Sequence, residues 1–390
     1  MSTKSDPAPI RLLQATAFVA TLDRFAMPPM LVAMAHDLDT PLGDIVRAAG
    51  AYFLVYGLCQ PVWGRVSDRI GRVATMRWTL VGAGLLAIAS AFSTGPLMLV
   101  ITRGVAGGLF GAAYPAALIY IGDTVAADVR QRDIARLMVG VALGTALASI
   151  GAGVVADVLT WRLMFVITGA AAIGTAWLLR VLAEPTREHP VVSLGASLAA
   201  VGRSRVTLFV LLCACAEGAV LLGTITLLPP AIEHAGATTT VAGIATGAYG
   251  MSVFASSRLV GWLTSRWRSP GLILLGASAA VVSCLLLAWD QSVAVAAVAA
   301  ALLGLAWTSM HSTLQTWGTE VLPAARATVV SFFAGSLFVG SSLAAVLASG
   351  LADAGRYGVL FLVNAVLAVP LGLAAASVRS RWHRPSPVSP

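Results

Sequence analysis

Gly64-Arg65-Val66-Ser67-Asp68-Arg69-Ile70-Gly71-Arg72 places three arginines and one acid between two long apolar runs, Asp44 to Val66 and Thr75 to Phe92. A charged stretch this short, bounded by glycines that tolerate tight turns, reads as a bend at a membrane surface, and the runs beside it as helices that cross. The composition agrees, because 58% of the 390 residues are hydrophobic and only 11% are charged, whereas a soluble domain carries about 25% charged residues. Each crossing helix takes about 20 apolar residues, so twelve use roughly 240 and leave short connections. The runs are continuous rather than alternating, which disfavours an outer-membrane barrel.

The other runs are Arg11 to Ala33, Pro96 to Ile121, Ile134 to Leu159 and Leu163 to Leu182, then Val206 to Leu228, Val241 to Thr264, Pro270 to Ala288, Ser292 to Trp317, Ala325 to Leu347 and Tyr357 to Ala376. With the N-terminus inside, 20 of the 25 basic residues fall on the cytoplasmic side, Arg24 and Arg103 lie within spans, and Arg47, Arg162 and Arg356 face outward. This asymmetry sets both termini in the cytoplasm and accounts for the net charge of +8 without nucleic acid. The expected architecture is therefore an all-α polytopic membrane protein with twelve transmembrane helices in two pseudo-symmetric six-helix bundles, 1–183 and 206–378. A cytoplasmic connection, 184–205, joins them, and a cytoplasmic tail, 379–390, follows. In the connection, Leu194, Leu198 and Val201 recur at helical spacing beside Arg203 and Arg205, as in a short amphipathic surface helix. Lys4 and Arg11 precede a span of full length, so the first helix is expected to act as the insertion signal.

Self-comparison supports two related halves. Gly122-Asp123-Thr124-Val125 with Arg130 corresponds to Gly318-Thr319-Glu320-Val321 with Arg326, and Gly107 and Gly304, Gly144 and Gly340, and Arg162 and Arg356 recur at similar offsets, as do Pro28-Pro29 and Pro229-Pro230. Such repeats place a substrate site near the midplane between the halves. Cys59, Cys213, Cys215 and Cys284 all lie in spans without His or Cys at zinc-site spacing, so neither disulfide nor metal is expected, and no cofactor.

The opening stretch resembles the G-x-x-x-D-R-x-G-R signature of the major facilitator superfamily, carried here by Gly64, Asp68, Arg69, Gly71 and Arg72 between the second and third spans. Arg103 to Gly107 is similar to the family's R-x-x-x-G motif, Trp161-Arg162 with Phe165 to its entry into the sixth helix, and Pro323 with Arg326 to its turn before the eleventh. Asp23 to Leu38, Ala51-Tyr52 and Tyr56-Gly57 resemble bacterial drug and small-solute efflux members. The resemblance implies a cytoplasmic latch at Asp68 that breaks and reforms during transport, and a role for Arg103 in proton transfer. Gly64 is expected to allow close backbone approach, and Asp68 to pair with Arg72 or face a helix N-terminus. The second half, at Gly261 to Arg268, lacks the acid. In the fifth span, Gly140 and Gly144 are followed by Thr145 and Ala148-Ser149, where antiporters of the family have G-P-x-x-G-G.

An ionisable residue in mid-span costs roughly 2.5 to 3.5 kcal/mol on insertion scales and normally has a use. The candidates for proton coupling or transport are Asp23, Arg24, Arg103, Glu217 and His311. Asp23 and Arg24 are about 100° apart on a helix, so one is expected at a helix contact and the other in the cavity. Glu217 has no basic residue in its own span, and His311 belongs to the residue type that titrates near neutrality. Met27, Met30, Phe53, Tyr56, Gln60, Tyr114, Tyr249, Trp307, Gln315 and Phe333 are candidate cavity residues, a mixture of aromatic and flexible side chains suited to amphipathic molecules. The expected function is alternating-access transport, with proton-driven efflux of small organic or drug-like molecules as the leading reading. Proton-coupled uptake of a metabolite such as an organic anion is the alternative, and a non-transporting sensor or scaffold is the alternative of another class. The partners expected are a small-molecule substrate, protons and the lipid bilayer of a bacterial inner membrane, with the chain acting as a monomer and not as an enzyme.

Overall fold

The computed structural model describes residues 7–185 and 194–383. Parts of the expected connection and tail, 186–193 and 384–390, lie outside the described residues. Among those described there is no strand, and eleven helices or helix chains are long and apolar enough to cross a membrane. They are α1 (Pro9–Asp37), α2 (Leu42–Ile70), α3 (Arg72–Ala91), α4 (Pro96–Thr124), α5 (Val129–Val158), α6 (Trp161–Val181), α7 (Arg205–His234), α9 (Ser269–Trp289), α10 (Val293–Glu320), α11 (Arg326–Asp353) and α12 (Tyr357–Arg381). The expected eighth span is α8 (Thr239–Thr264), whose 26 residues reach about 39 Å at 1.5 Å per residue. Its Thr, Ser and Gly residues dilute its hydropathy below that of the others. Those small residues are also what lets it pack closely, as small residues do between membrane helices.

Within the first six helices α1 packs on α5 and α6, α2 on α4, and α3 on α6. In the last six α7 packs on α11, α8 on α10, and α9 on α12. The halves meet along two crossings, α2 with α11 and α5 with α8. Both crossings depend on glycine. A Cβ at Gly57 would run into the Gly335 carbonyl, and one at Gly153 or Gly243 into the backbone of the facing helix. Toward the Asp68 end the contact lapses, since a Cβ at Gly64 or Gly261 would meet nothing within 4 Å. The close approach expected at Gly64 is therefore absent, because open space lies where its Cβ would point. At the opposite end they are shut, with Met30, Leu31 and Met34 of α1 buried and α1 lying against α7.

Two acids fasten the shut end. Pro41, before α2, has no side-chain acceptor, and the Gly43 N–H donates instead to Asp353 Oδ1 at the far end of α11, at 2.5 Å. The Thr240 N–H at the start of α8 donates to Asp157 Oδ2 at the end of α5, at 3.3 Å. Each acid caps a helix of the other half, satisfying orphan N–H groups and meeting the positive end of the helix dipole. Beyond the first half, the short helix Leu194–Arg203 turns Val201 inward against the starts of α7 and α11, while Leu198 stays exposed.

Overpacking a glycine contact costs about 1 to 3 kcal/mol, which shifts a two-state ratio by roughly 5- to 150-fold. Gly243→Val is therefore expected to open the Asp353 end. A cysteine placed at Met30 should react with a membrane-impermeant maleimide several-fold faster in that background than in the Gly261→Val control. Equal rates would mean that the α5–α8 crossing does not hold the end closed.

Candidate functional site

Four of the five candidates for proton coupling or transport form two acid–base pairs, one in each half. In the first, Arg103 of α4 donates through Nη2 to Asp23 Oδ2 at 2.7 Å and through Nη1 to Asp23 Oδ1 at 3.2 Å, and both side chains are fully buried. Thr168 of α6 donates a further hydrogen bond to Asp23 Oδ1 at 3.0 Å. The guanidinium is sandwiched between Tyr52 and Phe165, 4.8 and 4.5 Å from their ring centres. Three donors thus face one carboxylate, and the largest of them carries a permanent charge.

In the second half the acid again comes from the first helix and the base from the fourth. Glu217 of α7, wholly buried, lies with Oε2 3.1 Å from Nδ1 of His311 on α10. The other oxygen, Oε1, has no hydrogen-bond partner. His311 stacks on Trp307 with ring centres 3.8 Å apart, and Phe333 approaches its other neighbourhood at 5.7 Å. A π-turn, Gly218–Leu222, follows Glu217 directly, and a second, Trp307–His311, ends on the histidine. Single π-turns of this kind gather at functional sites, where they re-aim side chains without ending the helix. Which ring nitrogen of His311 carries the hydrogen decides the direction of this bond.

Arg24 is the fifth. It turns away from Asp23, as their helical spacing requires, and lies between the halves. Its Nη1 donates to Tyr56 Oη at 3.2 Å and its Nη2 to Thr21 Oγ1 at 3.4 Å. Its Cζ sits 5.2, 5.4 and 5.5 Å from the ring centres of Phe25, Tyr56 and Phe338. Tyr56 and Phe338, from α2 and α11, themselves meet at 4.3 Å. Tyr249 of α8 reaches Phe25 at 6.1 Å, so rings from both halves surround this charge.

The remaining expected cavity residues divide. Met27 is buried before the Pro28–Met30 turn. Gln60 donates to the Gly111 carbonyl at 3.0 Å and so ties α2 to α4 instead of facing a ligand. Tyr114 places its hydroxyl 3.8 Å from the sulfur of Met138 on α5. Gln315 is exposed, in a polar face with Ser312 and Thr316 near the Asp68 end of α10. At that end Asp68 pairs with Arg72 at 2.5 Å, and Arg72 also reaches Asp123 at 3.1 Å. Asp68 thus makes its ion pair within its own half, and Arg69 is exposed. Gly71 takes φ 110° and ψ 160°, a conformation that strongly favours glycine, and the Glu184 carboxylate sits where a Cβ would point. Glu184 accepts from the Val73 and Ala74 N–H groups and caps α3. Sequence reasoning missed Glu184, Thr168, Phe338, Asp157 and Asp353. The two aspartates alone left a trace, lying 196 residues apart at the ends of corresponding helices.

The chain is similar in sequence and fold to known membrane transporters. An efflux pump of the same superfamily from Mycolicibacterium smegmatis is 32% identical over 169 residues, 41% of this chain and 38% of that protein. Multidrug resistance protein D of Escherichia coli is 28% identical over 145 residues, 34% of each chain. The staphyloferrin B transporter of Staphylococcus aureus is 25% identical over 195 residues, 47% of this chain and 46% of that one. The matches span less than half the length of each of these relatives. Among solved structures, the nucleoside transporter NupG superposes with a TM-score of 0.80 at 15% identity, covering 95% of this chain and 99% of that one. A D-xylose–proton symporter superposes at 0.78 and 14%, covering 95% and 96%. Residues 14–343 match the model of the Major Facilitator Superfamily, and the chain belongs to that family of membrane transporters.

Proposed function

We propose that the chain is a proton-driven exporter of small organic molecules, working as a monomer in a bacterial cell membrane with both termini in the cytoplasm. The observation that carries this reading is the Glu217–His311 pair, a buried carboxylate with one free oxygen joined to a titratable base across two π-turns. On this topology the Asp68 end is cytoplasmic and the arrangement described is open inward. The exposed Ser312, Gln315 and Thr316 then line the water-filled entry, which explains a polar face on an otherwise apolar span. Rocking of the halves would separate the two glycine crossings, close the Asp68 end and carry the bound molecule across.

The two acid–base pairs take different parts in this cycle. Asp23 meets three donors, two of them on the permanently charged Arg103, so an arriving proton would have to displace Arg103 from a fully buried contact. Glu217 needs no such displacement. Its proton can pass to or from His311 and reach the inward entry when Trp307 or the ring itself shifts. Asp23 is accordingly assigned to holding α1, α4 and α6 together, and Glu217 with His311 to coupling.

In proteoliposomes with an imposed pH gradient, Glu217→Gln and His311→Ala should each abolish gradient-driven transport while leaving exchange of labelled substrate without a gradient within a few-fold of wild type. Gradient-driven transport that survives both changes would overturn the assignment, and a gradient dependence of the opposite direction would replace export with uptake. Asp23→Asn leaves a buried guanidinium without its counter-charge and is expected to destabilise the protein by about 3 to 5 kcal/mol. The double change Asp23→Leu with Arg103→Met should recover most of that loss in thermal melts, as removal of both partners does elsewhere. Failure of the double change to recover stability would give the pair a role beyond packing.

A further inference from the structure

Resting on the transporter reading above, we infer that Arg24 is the docking point for an anionic group of the substrate, and that the substrates are organic anions with an apolar, preferably aromatic, body. The charges of the central layer are otherwise matched. Asp23 pairs with Arg103, and Glu217 is hydrogen-bonded to His311. Arg24 is left over. Among the described residues no carboxylate forms an ion pair with it, and its contacts are two neutral hydroxyls and three aromatic rings. Its Nε is buried and has no hydrogen-bond partner at all.

A guanidinium offers five donors in a planar fork that matches a carboxylate or phosphate in two parallel hydrogen bonds. Here Nε is vacant, and both other nitrogens hold their hydroxyl partners at 3.2 and 3.4 Å, beyond the usual 2.7 to 2.9 Å of a charge-assisted contact. An arriving carboxylate would replace weak partners with strong ones. The rings of Phe25, Tyr56, Phe338 and Tyr249 supply the rest of the recognition, an aromatic wall to which α1, α2, α8 and α11 all contribute. The anion thus binds where both halves touch it, the position from which occupancy can bias their rocking. A lipophilic cation would meet an uncancelled positive charge at the same place.

The test uses the full chain, purified in detergent, with a matched series as probes: 4-phenylbutyrate and 2-naphthoate, their neutral primary amides, and the amines of the same skeletons. Binding is read by titration calorimetry and by the shift in melting temperature. The carboxylates are expected to bind at least about tenfold more tightly than the amides, the effect of one charge-assisted contact, and the amines more weakly still. Arg24→Gln should erase the preference for the carboxylates, whereas Arg24→Lys should keep part of it. Arg24→Gln also removes an uncompensated charge from the interior, so its melting temperature without ligand should equal or exceed that of wild type. Amines binding as well as carboxylates, no carboxylate binding to wild type, or an unchanged preference in Arg24→Gln would each overturn the inference. Because binding is measured without a proton gradient, the two readings fail separately. Carboxylate binding through Arg24 without gradient-driven transport would sink the coupling assignment alone, and gradient-driven transport confined to cations would sink the Arg24 assignment alone.

Discussion

A charge enclosed by apolar helices must be cancelled, shared or used, and this constraint orders the centre of the molecule. Asp23 and Arg103 cancel each other across α1 and α4, with both side chains fully buried. Glu217 and His311 share a hydrogen bond across α7 and α10. Arg24 keeps its charge and is surrounded by rings. The three solutions have different consequences for motion. The first pair ties helices within one half through two charge-assisted hydrogen bonds, while the second joins its helices through a single contact beside two π-turns. The free cation sits where the halves meet, so whatever neutralises it touches both.

The architecture was largely legible in the sequence because hydropathy and arginine placement are set by the membrane itself. Eleven spans emerged as long apolar helices, and the remaining one, α8, differs for a physical reason. Its surface faces α5 and α10, where Thr, Ser and Gly serve closeness better than Leu would. The identity of the buried charges was legible too, since Asp23, Arg24, Arg103, Glu217 and His311 stand out in any apolar run.

Their partnerships were not. Asp23 has Arg24 beside it in sequence yet pairs with a residue 80 positions away, because adjacent helical residues diverge by about 100°. Glu217 and His311 are 94 positions apart, and each adjoins a π-turn whose extra residue rotates the helix face away from any regular 3.6-residue projection. Gln60, polar in a run of cavity-like residues, spends its amide on the Gly111 carbonyl, a bond that depends on how closely α2 and α4 approach. Glu184, in a segment that reads as mere connection, caps α3 across more than a hundred residues. The Asp68 stretch was recognisable at once, but the reach of Arg72 to Asp123 as well as to Asp68 depends on how separate helices approach, which local sequence does not carry.

The two acids that fasten the shut end carry a historical implication. Asp157 and Asp353 stand 196 residues apart, the spacing of the internal repeat, and each caps the helix that corresponds to the one capped by the other. If one ancestral six-helix unit carried a terminal acid on its fifth helix and an uncapped second helix, two copies facing each other would have closed by the same reciprocal contact, as an isologous dimer must. Duplication and fusion would then have joined two parts that already fitted. The fastening needs no later invention, and a gene encoding either half alone would retain one acid and one vacant helix end with which to find a twin.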